Sequence, residues 1–174
     1  MNNENTNTIE STLSWDEYFM RVTYLTTDKS KDPSSKVGAI LVADNNVFST
    51  GFNGFPRGIQ DTNERLNDRE TKYKYVCHAE ANSIYNAARL GRPTLGSTMY
   101  TIGVPCTECA KAIIQAGVKE VVVHADESVK FKHGIWAESC ALTLSLFKEA
   151  GISLRFFDKK LGIKTLVNKE WKEV

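Results

Sequence analysis

The strongest constraint on the fold is a strand, helix, strand pattern in the second half of the chain. Residues 97–102 contain Met, Tyr and Ile among threonines, and residues 120–124 are built on three consecutive valines, so both have the length and composition of strands. The segment between them has Pro105 near its start and Gly117 at its end, which is the usual punctuation of a helix. The pattern predicts an α/β domain.

The same alternation continues on both sides of this unit. Ser14 and Glu17 have the spacing of a capping box, and apolar residues follow them at helical intervals to about Asp28. The other predicted elements are two strands over residues 37–42 and 47–52, a helix over 79–90, a helix over about 135–150 and a strand over 152–157. Together these elements predict a three-layer α/β/α sandwich with a mixed five-stranded sheet.

The chain is predicted to hold one folded domain. Its 174 residues are too few for two ordinary domains, and 41% of them are hydrophobic, which suffices for one core. Residues 1–12 are expected to form a flexible N-terminus, residues 13–158 the domain, and residues 159–174 a C-terminal tail. Residues 53–74 are predicted to be a long irregular stretch, and loops of that length usually serve function.

The charge balance excludes some classes of partner. Lys and Arg number 22 against 21 Asp and Glu, so the net charge of +1 creates no strong attraction to a nucleic-acid polymer or an anionic membrane. The sequence contains no run of 18 apolar residues and no signal-peptide pattern. We therefore expect a cytoplasmic protein that acts on small molecules and does not associate with membranes.

Four cysteines are available for metal binding or packing, because a reducing compartment disfavours disulfides; they are Cys77, Cys106, Cys109 and Cys140. Cys106 and Cys109 are three residues apart at the start of a predicted helix, so both thiols lie on one face and can converge on a tetrahedral metal. His78, at the start of the preceding predicted helix, supplies a third ligand. Three protein ligands leave the fourth position open to water, which is typical of catalytic zinc.

Glu80 lies two residues after His78 and is expected to face the open coordination position. Zinc lowers the pKa of a bound water, and the positive ends of two helices favour the negative charges of the thiolates. A carboxylate beside that water can take its proton and deliver it to a substrate nitrogen, as hydrolytic deamination requires. The combined signature, His-x-Glu followed by Pro-Cys-x-x-Cys, is typical of zinc nucleobase deaminases.

Several longer segments carry a family resemblance. They include Ser30-Lys31-Asp32-Pro33, Gly51-Phe52-Asn53-Gly54-Phe55-Pro56-Arg57-Gly58, Tyr75-Val76-Cys77-His78-Ala79-Glu80-Ala81-Asn82 and Pro105-Cys106-Thr107-Glu108-Cys109-Ala110-Lys111. Over about residues 15–157 the chain resembles the deoxycytidylate deaminase family of the cytidine deaminase-like superfamily. The zinc motif marks only the superfamily, whereas the first two segments indicate the deoxycytidylate branch. The resemblance implies the cytidine deaminase-like fold and the conversion of dCMP to dUMP and ammonia, which supplies thymidylate synthesis.

The resemblance also implies roles for individual residues. The zinc ligands would be His78, Cys106 and Cys109. Glu80 would shuttle protons, and Asn53 would contact the sugar of the bound nucleotide. An amide side chain in a glycine-flanked loop suits that contact, because it carries both donors and acceptors. The alternative for Asn53 is a residue that only forms a turn.

Regulation and assembly are implied by the same resemblance. Members of the family form hexamers, and dCTP activates them whereas dTTP inhibits them. This chain is therefore expected to form a homo-oligomer and to bind these nucleotides, with Mg²⁺ accompanying the triphosphate. Cations in loops suit phosphates, and the candidate residues are Lys29, Lys31, Gly54 and Arg57. A solvated polar loop is the alternative interpretation of this region.

Two other functions are compatible with the same residues. The zinc centre would act on another base or nucleoside, such as cytidine, guanine or an adenosine in transfer RNA, although the charge balance disfavours RNA. Alternatively, the chain is a non-catalytic, zinc-stabilised nucleotide-binding module in which Cys77 or another residue fills the fourth coordination position. Cys77 and Cys140 are predicted to pack instead, and His124 and His133 have no identifiable metal partners in the sequence.

Overall fold

The computed structural model describes residues 11–125 and 137–174. Within these ranges the chain forms six helices and seven strands. In chain order they are α1 (Trp15–Thr27), β1 (Gly38–Ala43), β2 (Asn46–Phe52), α2 (Asn63–Asn67), α3 (Arg69–Tyr75), α4 (Ala79–Arg89), β3 (Thr98–Thr101), α5 (Thr107–Gln115), β4 (Glu120–His124), α6 (Ala137–Ala150), β5 (Ser153–Phe157), β6 (Lys164–Val167) and β7 (Glu170–Glu173). None of the described helices combines the length and the apolar character that a bilayer crossing needs.

Five of the strands form one mixed sheet in the order β2-β1-β3-β4-β5. β1 pairs antiparallel with both β2 and β3. A tight turn joins β1 to β2, which is the usual connection of an antiparallel pair. The β3–β4 and β4–β5 pairs are parallel, with α5 and α6 in the connections between them. The predicted mixed five-stranded sheet is therefore confirmed.

Helices cover both faces of this sheet, because successive side chains of a strand point to opposite faces. Ile40 and Val42 of β1 belong to a buried cluster that includes Phe19 and Met20 of α1. Leu41, between them, belongs to a second cluster with buried residues of α4, α5 and α6. The three-layer α/β/α sandwich is confirmed, with α1 on one face and α4, α5 and α6 on the other.

Residues 159–174, which we expected to form a C-terminal tail, contain a β-hairpin. β6 and β7 pair antiparallel, and the buried residues Leu161 and Val174 join the cluster beneath α1. The two turn residues, Asn168 and Lys169, both have positive φ angles, of 52° and 67°. Hairpin turns of this kind usually carry glycine at the second position. Because a lysine occupies that position here, the sequence pattern did not indicate a hairpin.

The stretch predicted to be irregular contains the two short helices α2 and α3. The side chains of Thr62 and Asp68 cap them by accepting hydrogen bonds from backbone amides one turn later. Their brevity and their lack of an apolar period explain why the sequence pattern did not reveal them. Residues 1–10, His133 and the predicted helix start at residue 135 lie outside the described residues.

Gly51 of β2 allows α4 to pack directly against the sheet. A Cβ atom at this position would lie 2.2 Å from the carbonyl oxygen of Ala79 and 2.3 Å from the amide nitrogen of Ser83. We expect Gly51→Ala to lower the free energy of unfolding by about 3 kcal/mol, because backbone atoms of α4 must move. Urea denaturation measures the loss. Gly54→Ala is the matched control, since its Cβ would meet only the Phe52 ring, at 3.7 Å, and equal losses in the two proteins would contradict this account.

Candidate active site

The N-termini of α4 and α5 meet beside the end of β3, and a predicted metal ligand occupies each helix start. His78 is the N-cap residue of α4 and Cys106 that of α5, and neither side chain caps its own helix. In α1, α2 and α3, by contrast, the N-cap side chain accepts a hydrogen bond from the helix backbone. The imidazole and the thiol are instead directed at each other.

The structure brings His78, Cys106 and Cys109 into one cluster, with all ligand atoms within 4.8 Å of one another. His78 Nδ1 lies 3.3 Å from Cys106 Sγ and 3.5 Å from Cys109 Sγ. Ordinary Zn–N and Zn–S bonds in a tetrahedral site would hold such atoms about 3.5 Å apart. Among the described residues, no fourth His, Cys, Asp or Glu joins the cluster. The donor set therefore fits a zinc ion that keeps one open coordination position.

Hydrogen bonds within this cluster favour a thiolate. The Cys109 thiol and the His78 ring lower the pKa of Cys106 to about 4 by hydrogen bonding to its sulfur. The same interaction with Cys106 raises the pKa of Cys109, and burial acts in the same direction. Cys106 also raises the pKa of His78 to about 9. Because a metal has to displace the protons of Cys109 and His78, we expect metal affinity to rise with pH.

Glu80 lies in the first turn of α4, next to the cluster but not part of it. The residue is only 6% exposed. Its Oε1 accepts a hydrogen bond from Thr101 Oγ1 at 3.3 Å, and its Oε2 lies 3.7 Å from Cys109 Sγ. Burial raises the pKa of the Glu80 carboxyl. A raised pKa brings a carboxyl closer to the pH at which proton transfer is efficient, so this side chain suits acid–base chemistry.

A cavity of about 570 Å³ opens onto the cluster. His78, Glu80 and Cys106 line part of it, and other lining residues come from the loop before β1, helix α3 and the C-terminal hairpin. This volume is within the range of binding sites for small molecules. The cavity therefore joins a metal site to a space large enough for an organic substrate.

Asn53, at the end of β2, lines the same cavity and stabilises the loop before β1, which forms part of the cavity wall. Its Oδ1 accepts hydrogen bonds from Ser30 Oγ and from the amide of Val37, both at 2.8 Å. Its Nδ2 donates to the carbonyl oxygen of Ser35 at 2.9 Å. These bonds hold the loop before β1 in place. The second Nδ2 proton has no protein partner among the described residues and remains available to a ligand.

A buried ion pair in the cavity wall was not predicted from the sequence. Lys72 Nζ lies 3.0 Å from Asp32 Oδ1, and both residues line the cavity. Asp32 also accepts hydrogen bonds from the amides of Ser34 and Ser35, so it organises the loop before β1. Forty residues separate the two charges in the chain, and no local pattern connects them.

The four residues considered for nucleotide regulation do not line this cavity. Lys31 forms an exposed ion pair with Asp61 at 2.6 Å. Arg57 lines a second, smaller cavity of about 360 Å³, which none of the other three reaches. Gly54 pairs through its backbone with the segment before α4, and Lys29 is exposed. Within the part of the chain that the structure describes, these residues form no single site.

The other cysteines and the histidine of β4 have contacts of their own. Cys77 lies outside the metal cluster, which argues against a site that it would close as a fourth ligand. Cys140 is buried and lines the cavity. His124 is fully buried, with Nδ1 2.7 Å from Tyr24 Oη and Nε2 3.1 Å from the carbonyl oxygen of Lys159. These contacts tie β4 to α1 and to the segment before the hairpin.

Comparison with known proteins decides the family. The family model described as the cytidine and deoxycytidylate deaminase zinc-binding region matches residues 13–125. The chain belongs to this family. The matched region contains His78, Glu80, Cys106 and Cys109, so the family description and the geometry of the cluster agree on zinc.

Individual members of the deaminase family are similar over most of the chain. The deoxycytidylate deaminase of Mus musculus is 44% identical over 154 residues, which cover 85% of this chain and 82% of the mouse protein. The Homo sapiens deoxycytidylate deaminase is 43% identical with the same coverage. The crystal structure of dCMP deaminase from the cyanophage S-TIM5, in complex with dCMP and dUMP, has a TM-score of 0.65 at 25% identity and covers 82% of this chain and 96% of that one. The cytidine deaminase-like fold is confirmed.

Proposed function

We propose that this zinc deaminase converts dCMP to dUMP and ammonia. The observation that carries the proposal is the buried carboxyl of Glu80 beside the cluster of His78, Cys106 and Cys109, in a cavity of substrate size. Hydrolytic deamination requires an acid–base group next to a metal site of this kind. The relatives at 43–44% identity are named deoxycytidylate deaminases, which supports dCMP as the substrate.

His78, Cys106 and Cys109 would hold the metal. Zinc, when bound, supplies Lewis-acid activation of water at neutral pH. The negative charges of the two thiolates offset the charge of the dication. The uncapped N-termini of α4 and α5 add backbone amides and positive helix ends near the thiolates. These features favour the thiolate form of both cysteines once the metal has displaced the proton of Cys109.

Glu80 moves protons between water and the substrate. As the water oxygen bonds to carbon 4 of the cytosine ring, the carboxylate takes a proton from it and passes that proton to the neighbouring ring nitrogen. The remaining proton of the water is transferred to the amino group, and the carbon–nitrogen bond breaks to release ammonia. Carbon 4 then carries a carbonyl oxygen in place of the amino group. The hydrogen bond from Thr101 to Oε1 holds the carboxyl in one orientation during these transfers.

Asn53 is the proposed contact to the deoxyribose. Its support is its place in the cavity wall and the second Nδ2 proton described above. Because Oδ1 and the other Nδ2 proton already bond to the loop before β1, the side chain is held rigidly and presents one donor to the sugar. Rigid donors of this kind orient a substrate with little loss of conformational entropy.

A comparison of substrates tests the reaction. We expect purified, zinc-loaded protein to release ammonia fastest from dCMP when dCMP, CMP, deoxycytidine and guanine are supplied at equal concentration. Ammonia is measured by a coupled assay, and heat-inactivated protein is the control. Release from guanine or from free deoxycytidine without release from dCMP would contradict the proposed substrate.

Regulation and assembly follow from the family resemblance and are part of the proposal. We propose a hexamer that dCTP with Mg²⁺ activates and dTTP inhibits, acting through Lys29, Lys31, Gly54 and Arg57. The second cavity supports a part in nucleotide binding for Arg57 alone, since the other three residues do not line it. The cytoplasm is the proposed compartment, because cysteine ligands to zinc have to remain reduced. Addition of dCTP or dTTP to the same assay, with light scattering for mass, tests these points.

A further inference from the structure

Several positively charged side chains line the catalytic cavity, although the net charge of the whole chain is only +1. Four cations of the described residues line it, and Lys72 is already paired with Asp32. The other three, Lys36, Arg69 and Lys169, have no carboxylate partner among the described residues. Besides Asp32, the acidic residue in the described part of the lining is Glu80, and it is buried beside the metal cluster. Three cations without a carboxylate partner in the described part of the chain therefore share one cavity with the metal ligands His78 and Cys106.

Lys169 reaches this wall from the turn of the C-terminal hairpin. The turn is fixed to the loop before β1 by hydrogen bonds from the Lys169 amide to the carbonyl oxygen of Ser34, at 2.7 Å, and from the Asn168 amide to Ser35 Oγ, at 2.9 Å. Lys36, in that loop, donates its amide to the carbonyl oxygen of Leu166 in the hairpin, at 2.9 Å. The hairpin and the loop thus form one rigid wall that carries two of the three cations.

The conformation of Lys169 is unusual for a residue with a long side chain. Its φ of 67° lies in the left-handed region, where glycine is favoured and a lysine is strained. Strained residues that face a binding site often serve that site, because glycine would otherwise satisfy the turn better. The cavity lining supplies the independent observation here, since the lysine is part of it.

We propose that Lys169, together with Lys36 and Arg69, binds the 5′-phosphate of the substrate and thereby selects nucleoside monophosphates over nucleosides. This inference rests on the proposed function. With cytosine at Glu80 and the metal cluster, the phosphate of a nucleotide must lie elsewhere in the same cavity. A phosphate dianion matches three cations that lack a carboxylate partner among the described residues, and a neutral nucleoside gains nothing from them. Arg69 also lies over the Tyr73 ring, 5.4 Å from its centroid.

The test compares a nucleotide with its nucleoside in variants of one residue. Lys169→Gly relieves the strained turn, so we expect its melting temperature to equal or exceed that of the wild type. We expect its KM for dCMP to rise about tenfold while its kcat changes little, because a charge-assisted contact to the phosphate is lost. Its kcat/KM for deoxycytidine should stay unchanged. Lys169→Glu should raise the KM for dCMP further, since it repels the phosphate.

Lys164→Gln is the matched control, because Lys164 is an exposed lysine of the same hairpin that does not line the cavity. Its KM for dCMP should equal that of the wild type. An unchanged KM for dCMP in both Lys169 variants, or an equal loss for dCMP and deoxycytidine, would overturn the inference.

Calorimetric titration with dUMP and deoxyuridine separates this inference from the proposed reaction. We expect the wild type to bind dUMP more tightly than deoxyuridine and Lys169→Glu to abolish this difference. That result would support the phosphate site even if the protein did not turn over dCMP. Equal binding of dUMP by the wild type and by Lys169→Glu would overturn the phosphate site even in an active deaminase.

Discussion

Glu80→Gln is expected to lower kcat for dCMP deamination about 10³-fold, the usual contribution of a well-placed acid–base group. The amide has nearly the same shape as the carboxyl, and its oxygen can still accept the hydrogen bond from Thr101. It cannot take a proton from water, so the transfers to the ring nitrogen and to the leaving amino group lose their carrier. Because Glu80 is not a member of the ligand cluster, the variant should retain its zinc.

Two measurements on the same preparation test this prediction. Steady-state ammonia release gives the kcat, and atomic emission gives the zinc content. Glu108→Gln is the matched control, since Glu108 lies in the first turn of the neighbouring helix α5 but is exposed and paired with Lys111 at 2.6 Å. Its activity should equal that of the wild type. Turnover by zinc-loaded Glu80→Gln within tenfold of the wild type would remove this carboxyl from the mechanism.

Cys109→Ser is expected to weaken zinc binding by more than about 100-fold and to abolish activity. Loss of the residues that only support a ligand already costs 10- to 100-fold, and a serine hydroxyl is a far poorer zinc ligand than a thiolate. Cys109 is 3% exposed and its sulfur lies 3.5 Å from His78 Nδ1, so no solvent ligand can easily replace it. The zinc-free site also loses the free energy that metal binding contributes to folding.

Competition with a chromophoric chelator gives the zinc affinity, and thermal unfolding with and without added zinc gives the linked stability. Cys77→Ser is the matched control, because Cys77 immediately precedes the ligand His78 but lies outside the cluster. Its zinc affinity should remain that of the wild type. A loss of zinc in Cys77→Ser as large as in Cys109→Ser would instead favour the non-catalytic module with four protein ligands.

The helices and strands with clear local patterns were predicted closely. The strand expected over 120–124 is β4, Glu120–His124, and the helix expected over 79–90 is α4, Ala79–Arg89. Both have strong apolar patterns and clear ends, which depend only on neighbouring residues. The C-terminal hairpin was missed because Lys169 occupies the turn position where glycine is usual. Tertiary contacts to the loop before β1 hold that lysine in place.

The candidate site, like the fold, was predicted only in part. The amino-acid sequence alone determined the chemistry of the ligands and placed each one at a helix start. The spacing of three residues between Cys106 and Cys109 puts both thiols on one helix face. Only the tertiary structure decided that the two helix starts meet, since Cys106 and His78 are 28 residues apart and the sheet positions both helices. It also decided the cavity wall, in which Lys72 meets Asp32 and the hairpin adds Lys169. Contacts over such distances depend on packing of the whole chain, which no local pattern encodes.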